Sequence, residues 1–139
     1  MKVKILNPEA KVPTKAYSGD AGFDVYALED SCIFGKEQRQ LKLGIAIEIA
    51  EDEVAIMSER SGMAIKSGIT SIGNVIDSGY RGEISIILAN ITNHVFDIKK
   101  GDKIGQIIIH KLGNQTIEIV NELSDTERGN NAHYSSGVK

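Results

Sequence analysis

An alternation of apolar and other residues between Leu41 and Ile49 constrains the fold of this chain more than any other sequence feature. The apolar positions are Leu41, Leu43, Ile45, Ile47 and Ile49. Lys42 and Glu48 lie between them and would point to the opposite side. A period of two residues is typical of a strand that is buried on one face only. The pattern predicts a half-buried β-strand.

Several other segments rich in β-branched residues have the same character, and turn-forming residues separate them. They are Val3–Leu6, Phe23–Leu28, Val54–Met57, Glu83–Thr92, Lys103–His110 and Thr116–Leu123. Many short strands joined by turns predict an all-β sandwich or barrel. Only Arg60–Lys66 has a helical pattern, and Gly62 limits it to a turn or two.

Length and composition limit the classes of protein to which the chain can belong. A chain of 139 residues is enough for one domain with a single core. Its formal charge of −3 comes without a basic stripe or arm, which argues against a nucleic-acid polymer as partner. Cys32 is the only cysteine, so no intrachain disulfide forms and a reducing cytoplasm is the expected location. Met1–Val12 does not read as a secretion signal, and no apolar run is long enough to span a membrane.

The character of the chain changes after Leu123. Residues 124–139 carry almost no aliphatic side chains and consist mainly of serine, asparagine, glycine and charged residues. Such a segment buries too little apolar area to offset its own ordering entropy. We therefore expect a barrel domain over residues 1–123 and a flexible C-terminal arm over 124–139, which composition alone would make a simple disordered tail.

Arg60-Ser61-Gly62 lies between a predicted strand and the predicted helix. Backbone N–H groups at a helix start, a hydroxyl and a guanidinium together suit a bound phosphate. The alternative is an N-capping serine beside a solvated arginine, and three residues alone favour that alternative.

The stretch from Gly73 to Gly82 is predicted to form a hairpin whose tip bears Asp77 and Tyr80. Val75 and Ile76 would hold Asp77 against an apolar wall, where a carboxylate can act as a general base, and an exposed Tyr80 can stack on a sugar or base. An aspartate in a turn is equally well explained by hydrogen bonds to the following backbone amides. Both interpretations stay open on these residues alone.

Two further segments carry polar groups in unusual places. Gln106 lies within a very apolar strand, where its amide needs a partner from a neighbouring strand or a ligand. The stretch from Arg128 to Gly137 combines an arginine, glycines and paired hydroxyls, as a phosphate-wrapping loop requires. The three histidines, His94, His110 and His133, have no spacing typical of a metal site.

Together these segments resemble the five motifs of the trimeric dUTPase family, in the same order and over nearly the whole chain. The matching stretches are Ala21–Ala27, Arg60–Ala64, Val75–Glu83, Gly101–Gln106 and Arg128–Gly137. The resemblance implies a jelly-roll-like distorted β-barrel that forms homotrimers with active sites at subunit interfaces. It also implies hydrolysis of dUTP to dUMP and pyrophosphate by attack of water on the α-phosphorus, with Mg²⁺ as cofactor.

The resemblance also implies roles for single residues. Asp77 is the general base, and Tyr80 stacks under deoxyribose. Backbone groups of the hairpin read the uracil edge, around Ser71, Asn74, Val75, Ile76 and Ser85. The phosphates are held by Arg60, Ser61, Gly62 and Gln106 and covered by Arg128, Ser135 and Ser136. His133 is a candidate to stack on uracil, and Asp24 supports the site through hydrogen bonds. Magnesium is expected on the phosphates and water, without a direct protein ligand.

Five positions depart from the family pattern. Glu59 replaces a proline, which is expected to place a negative charge near the phosphates. Ser71 and Asn74 replace an asparagine and a glycine in the base-reading hairpin. His133 and Tyr134 occupy the region of the phenylalanine that stacks on uracil.

Three alternatives compete with this interpretation. A dCTP deaminase shares the fold but needs a glutamate where this chain has Ile87, and isoleucine cannot move protons. A regulatory trimer would keep the nucleotide site for signalling. A generic jelly-roll sugar or metal binder predicts neither a nucleotide preference nor an arginine in the tail.

Overall fold

The computed structural model of the chain describes residues 1–113 and 115–130. Within them, eleven strands and one helix are formed. The strands are β1 (Lys2–Ile5), β2 (Gly22–Tyr26), β3 (Ser31–Ile33), β4 (Gln38–Lys42), β5 (Ile45–Glu48), β6 (Glu53–Ser58), β7 (Ile69–Ile72), β8 (Val75–Asp77), β9 (Ser85–Asn90), β10 (Phe96–Ile98) and β11 (Lys103–Lys111). The helix is α1 (Ser61–Ser67). The prediction of an all-β domain with one short helix is confirmed.

The strands form antiparallel sheets around one apolar core. The largest sheet has the order β2-β11-β6-β8, and β9 lies between β4 and β7 in a second sheet. Two-stranded pairs, β1 with β5 and β3 with β10, complete the layers. Inward side chains such as Val25, Met57 and Ile107 pack in the core and are at most 2% exposed. The sheets do not close into a continuous barrel, and the arrangement is jelly-roll-like.

The alternating segment from Leu41 to Ile49 is buried as predicted, but it is not one strand. Gly44 interrupts it with a φ of +69°, a conformation that L side chains rarely adopt. The residues before Gly44 end β4, which pairs with β9, and those after it begin β5, which pairs with β1. Alternation therefore predicted the buried face correctly and missed the change of sheet.

The strand predicted at Thr116–Leu123 is not formed in this chain. Residues 115–130 have no strand, and Ile117 and Ile119 are 97% and 96% exposed. A strand needs a neighbouring backbone to satisfy its N–H and C=O groups. Among the described residues, no segment pairs with this one.

Helix α1 agrees with the predicted Arg60–Lys66 to within one residue. Arg60 takes the N-cap position with extended dihedral angles, so Ser61 is the first helical residue rather than the cap. Gly68 ends the helix in the left-handed conformation and donates its N–H to the carbonyl of Ala64 at 3.1 Å. Within the described residues, no helix is long and apolar enough to cross a membrane.

The prediction that the strands on either side of the Asp77 turn pair as a hairpin is wrong. β8 pairs with β6, whereas β9 pairs with β4 and β7. The intervening turn, closed by the Tyr80 N–H on the Asp77 carbonyl at 3.0 Å, therefore carries the chain from one sheet to the other. The turn itself was predicted correctly, because turn residues depend on local sequence while strand partners do not.

Candidate active site

A cleft of about 720 Å³ lies where β2, β11 and the start of α1 meet. Five of the predicted site residues line it: Asp24, Arg60, Ser61, Gly62 and Gln106. The register of β11 explains why they converge, because Gln106 stands opposite Asp24 on one side and opposite Ser58 on the other. Arg60 follows Ser58 by two residues. We call this cleft the cation cleft.

Asp24 is held by two cations. Its Oδ1 lies 3.2 Å from Arg60 Nε, and its Oδ2 lies 2.6 Å from Lys103 Nζ. The Asp24 side chain is only 14% exposed. The hydrogen bond from Lys103 to Asp24 raises the pKa of the lysine, which keeps its proton. The ion pair between Asp24 and Arg60 is compatible with the supporting role predicted for Asp24.

Gln106 has the partner that its position in an apolar strand demands. Its Nε2 donates a hydrogen bond to the carbonyl of Glu59 at 3.2 Å. Gly22 makes room for this side chain, because a Cβ at that position would lie 2.3 Å from Gln106 Oε1. The amide is therefore fixed by the backbone on one side and by a small residue on the other.

Glu59 does not line the cation cleft, contrary to the expectation from its sequence position. Its carboxylate turns toward β7 and accepts hydrogen bonds from Ser71, from the N–H at 3.2 Å and from the hydroxyl at 2.5 Å. These hydrogen bonds, chiefly the one from the Ser71 hydroxyl, hold the pKa of Glu59 below its ordinary value. The negative charge of Glu59 is directed at Ser71, which is itself only 8% exposed.

A second, smaller cleft of about 200 Å³ contains the predicted nucleoside residues. Five of them line it: Val75, Ile76, Asp77, Tyr80 and Ser85. Within β8, Ile76 packs against the core, whereas Val75 is 65% exposed and Asp77 is exposed beside it. Val75, Ile76 and Ile84 are the apolar residues that line the cleft together with Asp77. We call this cleft the hairpin cleft.

Tyr80 is fixed by its own turn. Its hydroxyl donates to the carbonyl of Glu83 at 3.1 Å, and its ring lies across Gly82. A Cβ on Gly82 would lie 2.3 Å from the Tyr80 hydroxyl oxygen. The ring remains 48% exposed and is available for stacking.

Ser71 and Asn74 do not line the hairpin cleft. Ser71 is engaged by Glu59, and the Asn74 carbonyl accepts a hydrogen bond from Met57 N–H at 2.8 Å. The side-chain Oδ1 of Asn74 is buried without a hydrogen-bond partner among the described residues. Neither side chain is brought to the nucleoside residues in one chain.

The two clefts lie apart, and none of the described residues lines both. Asp77 pairs with Val54 at the start of β6, whereas Arg60 follows the other end of that strand. The four steps along the strand from Val54 to Ser58 alone advance the chain by about 13 Å. Asp77 and Arg60 of one chain are therefore poorly placed to meet at one phosphorus atom.

The predicted arm is described only in part. Arg128 is exposed and lies within a turn that the Gly129 N–H closes on the Thr126 carbonyl at 3.0 Å, and it does not line either cleft. His133, Ser135 and Ser136 lie outside the described residues.

Sequence reasoning missed two cations near the cation cleft. Lys66 lines it from the last turn of α1, and Lys103 reaches it through Asp24. The helical spacing of Gly62 and Lys66 places both on one face and was a usable signal. The position of Lys103 near the cation cleft follows only from the register of β11.

No three histidine, cysteine, aspartate or glutamate side chains converge in a metal-binding arrangement within residues 1–113 and 115–130. Both carboxylate oxygens of Asp24 are engaged by cations.

Comparison with known proteins identifies relatives over nearly the whole chain. The family model described as dUTPase matches residues 8–137. The deoxyuridine 5'-triphosphate nucleotidohydrolases of Clostridioides difficile and Nautilia profundicola are 42% and 41% identical, and the matches cover 99% of this chain and 97% and 98% of those proteins. The dUTPase of Staphylococcus bacteriophage 80alpha, solved with dUPNHPP, has a TM-score of 0.93 at 26% identity and covers 99% of this chain and 98% of its own. A mutant dUTPase from phage phi11 of S. aureus, described with a structural Mg(II) ion, shares the fold with a TM-score of 0.83 at 23% identity, covering 89% of this chain and 98% of that one.

Proposed function

The chain belongs to the dUTPase family and is a hydrolase of dUTP, and we propose that two subunits build each of its active sites. In this proposal the hairpin cleft of one subunit holds the nucleoside and supplies Asp77. The cation cleft of a neighbouring subunit holds the phosphates. The observation that carries the proposal is that ten of the predicted site residues divide between two separate clefts at opposite ends of β6.

Asp77 acts as the general base. Its exposed carboxylate accepts a proton from water, whose oxygen attacks the α-phosphorus. The bond from that phosphorus to the bridging oxygen of the β-phosphate breaks, and pyrophosphate leaves with the electron pair. Proton acceptance by a placed carboxylate contributes about 10²- to 10⁴-fold in rate.

Arg60, Ser61, Gly62 and Gln106 bind the phosphates in this scheme. The guanidinium of Arg60 is oriented by Asp24, and Lys66 adds a second positive charge on the same wall. Charges and dipoles that are already in place stabilise the growing negative charge without reorganising. The departing pyrophosphate is thus stabilised by the cation cleft.

Tyr80 and the backbone around it select the nucleoside. The ring, held across Gly82, stacks under deoxyribose and leaves no room for a ribose 2'-hydroxyl. Backbone groups near Val75, Ile76 and Ser85 contact the base. The contributions of Ser71 and Asn74 to base reading are less direct, since their side chains lie outside the hairpin cleft.

A homotrimer is the assembly we propose, and the C-terminal segment supports it. Ile117, Ile119 and Leu123 are 97%, 96% and 88% exposed in one chain. Such a row of apolar side chains is typically covered by another chain. Residues 124–139 form an arm that closes over the phosphates through Arg128, Ser135 and Ser136, with His133 available for the base.

Magnesium is the proposed cofactor, bound by phosphate oxygens and water without a direct protein ligand. When bound it neutralises phosphate charge, and Arg60 and Lys66 share that task. We also place the protein in the cytoplasm, where a lone thiol such as Cys32 stays reduced.

Deamination of dCTP is disfavoured by the chemistry at position 87. Ile87 follows Ser85 by two residues on β9, on the same face, and its Cδ1 approaches Gly73. An aliphatic side chain at this place cannot transfer protons.

The test is pyrophosphate release with magnesium from dUTP, dCTP, dTTP and UTP side by side. Release from dUTP at least about a hundred-fold faster than from the other three is expected, because a site that discriminates by steric exclusion and polar pairing reaches such ratios. Equal rates would contradict the proposed nucleoside pocket. Binding of dUTP without release would make a regulatory nucleotide-binding trimer the primary function.

A further inference from the structure

We infer that Glu59 and Ser71 form a positioning pair that aims Arg60 and Gln106 at the phosphates. The inference rests on the proposed function, because it assigns a task within the cation cleft. It concerns two residues that stand outside both clefts. Because neither residue lines a cleft, neither is expected to contact the substrate through its side chain.

The pair is joined in both directions. The N–H of Glu59 donates to Ser71 Oγ at 3.1 Å, while the Ser71 hydroxyl and N–H both donate to Glu59 Oε2, at 2.5 Å and 3.2 Å. One serine thus satisfies the backbone donor and part of the side-chain acceptor of the same glutamate. Hydrogen bonds to a charged group are roughly twice as strong as those between neutral groups.

The location of the pair links it to two of the groups assigned to phosphate binding. Glu59 connects β6 to Arg60, the N-cap residue of α1. Its carbonyl accepts the hydrogen bond from Gln106 Nε2 at 3.2 Å. Any shift of the Glu59 backbone therefore moves two of the groups assigned to phosphate binding.

Ser71 supplies a rigid anchor. It lies in the middle of β7, which pairs with β9, and it is 8% exposed. A buried strand residue moves little, so the backbone of Glu59 is tied to the second sheet. Without the pair, the Glu59 carboxylate is free to turn back toward the cation cleft, where its charge opposes phosphate binding.

Ser71→Ala tests the inference directly. The KM for dUTP is expected to rise about tenfold, while kcat stays within about threefold, because the affected contacts hold the phosphates before and during the reaction alike. The dissociation constant of dUMP should change less than about twofold, since dUMP lacks the two phosphates that leave. A merely structural role would lower the melting temperature without this contrast between dUTP and dUMP.

Ser31→Ala is the matched control. Ser31 also loses a side-chain hydrogen bond, the one it accepts from Arg39 Nη1 at 3.0 Å, but it lies on β3 away from both clefts. Its KM for dUTP should equal that of the wild type. If Ser71→Ala melts too low to assay, Glu59→Ala removes both hydrogen bonds that the carboxylate accepts from Ser71 and should raise KM in the same direction.

A double variant decides whether the two residues act together. Glu59→Ala and Ser71→Ala combined should raise KM no more than the stronger of the two single substitutions. Additive effects, a KM unchanged within about twofold in both single variants, or an equal loss of dUMP binding would overturn the inference. Absence of dUTP turnover in the wild type would instead refute the proposed function.

Discussion

Asp77 is the residue whose loss should separate chemistry from folding most cleanly. It lies exposed at the end of β8, and its side chain is not needed by the core. We expect Asp77→Asn to keep the melting temperature of the wild type and to lose at least about a hundred-fold in kcat, the contribution of a general base. Melting curves and steady-state rates with dUTP measure both quantities. An unchanged kcat would remove Asp77 from the mechanism.

Gly82 determines where the Tyr80 ring lies. In Gly82→Ala, the new Cβ would approach the Tyr80 hydroxyl oxygen to 2.3 Å, so the ring must move. We expect the preference for dUTP over UTP, measured as a ratio of kcat/KM, to fall by about tenfold or more, since stacking under deoxyribose is lost. Gly79→Ala is a matched control in the same turn, because a Cβ at Gly79 has no heavy atom within 4 Å among the described residues. A similar loss of preference in both variants would contradict this role for Gly82.

At the residue scale, the resemblance supplied the site assignments, and the roles of the residues stay predictions. Asp24, Arg60 and Gln106 were assigned by resemblance, and strand register brings them together. The orientation of Glu59 was not predictable, because its partner Ser71 lies beyond an intervening helix. The contact between Glu59 and Ser71 joins two of the positions that depart from the family pattern, which neither position reveals alone.

At the scale of elements, Gly44 separates two strands that read as one in the sequence. A Cβ there would lie 2.9 Å from Ala10 Cβ and 3.0 Å from Asn7 Cβ, at a φ of +69°. We expect Gly44→Ala to lower the free energy of unfolding by roughly 1–3 kcal/mol, measured in urea. Gly19→Ala, whose Cβ has open space among the described residues, should change it far less. Equal effects would mean that the left-handed turn at Gly44 is not constrained.

Strand existence was predicted better than strand partners. Long segments such as β11 were recognised as strands, since eight of its nine residues lie in a segment predicted from its β-branched character. The three residues of β3 and of β10 are too few to show one, and β7 has only four. The pairing of β8 with β6 rather than β9 depends on contacts across the whole sheet, so local turn residues could not predict it.

At the scale of the whole molecule, the C-terminal arm should matter for turnover and not for folding. Glu127 to Gly129 are exposed, and the residues after them are mostly polar. We expect deletion of Glu127–Lys139 to leave the melting temperature and trimer mass nearly unchanged. Turnover of dUTP should fall steeply, whereas binding of dUMP should weaken less, because Arg128, Ser135 and Ser136 are assigned to the phosphates. A truncated trimer with full turnover would show that the arm is only a tail.

The sequence carried the least information about the assembly. The apolar alternation of Thr116–Leu123 was taken as a strand within the chain, but those side chains are exposed and unpaired with any described strand. Their pattern is the same whether the covering surface belongs to this chain or to a neighbour. The sequence therefore signals burial without indicating which molecule provides it.

Complementation between two inactive variants tests the shared active site most directly. Asp77→Asn subunits retain an intact cation cleft, and Arg60→Ala subunits retain an intact Asp77. If each site combines one subunit's hairpin cleft with its neighbour's cation cleft, equal mixing by co-refolding should restore about a quarter of the wild-type sites. Each variant refolded alone, with its trimer mass verified, is the control. Recovery of dUTP turnover to about that level is the predicted result, and mixed trimers no more active than the separate variants would contradict the account.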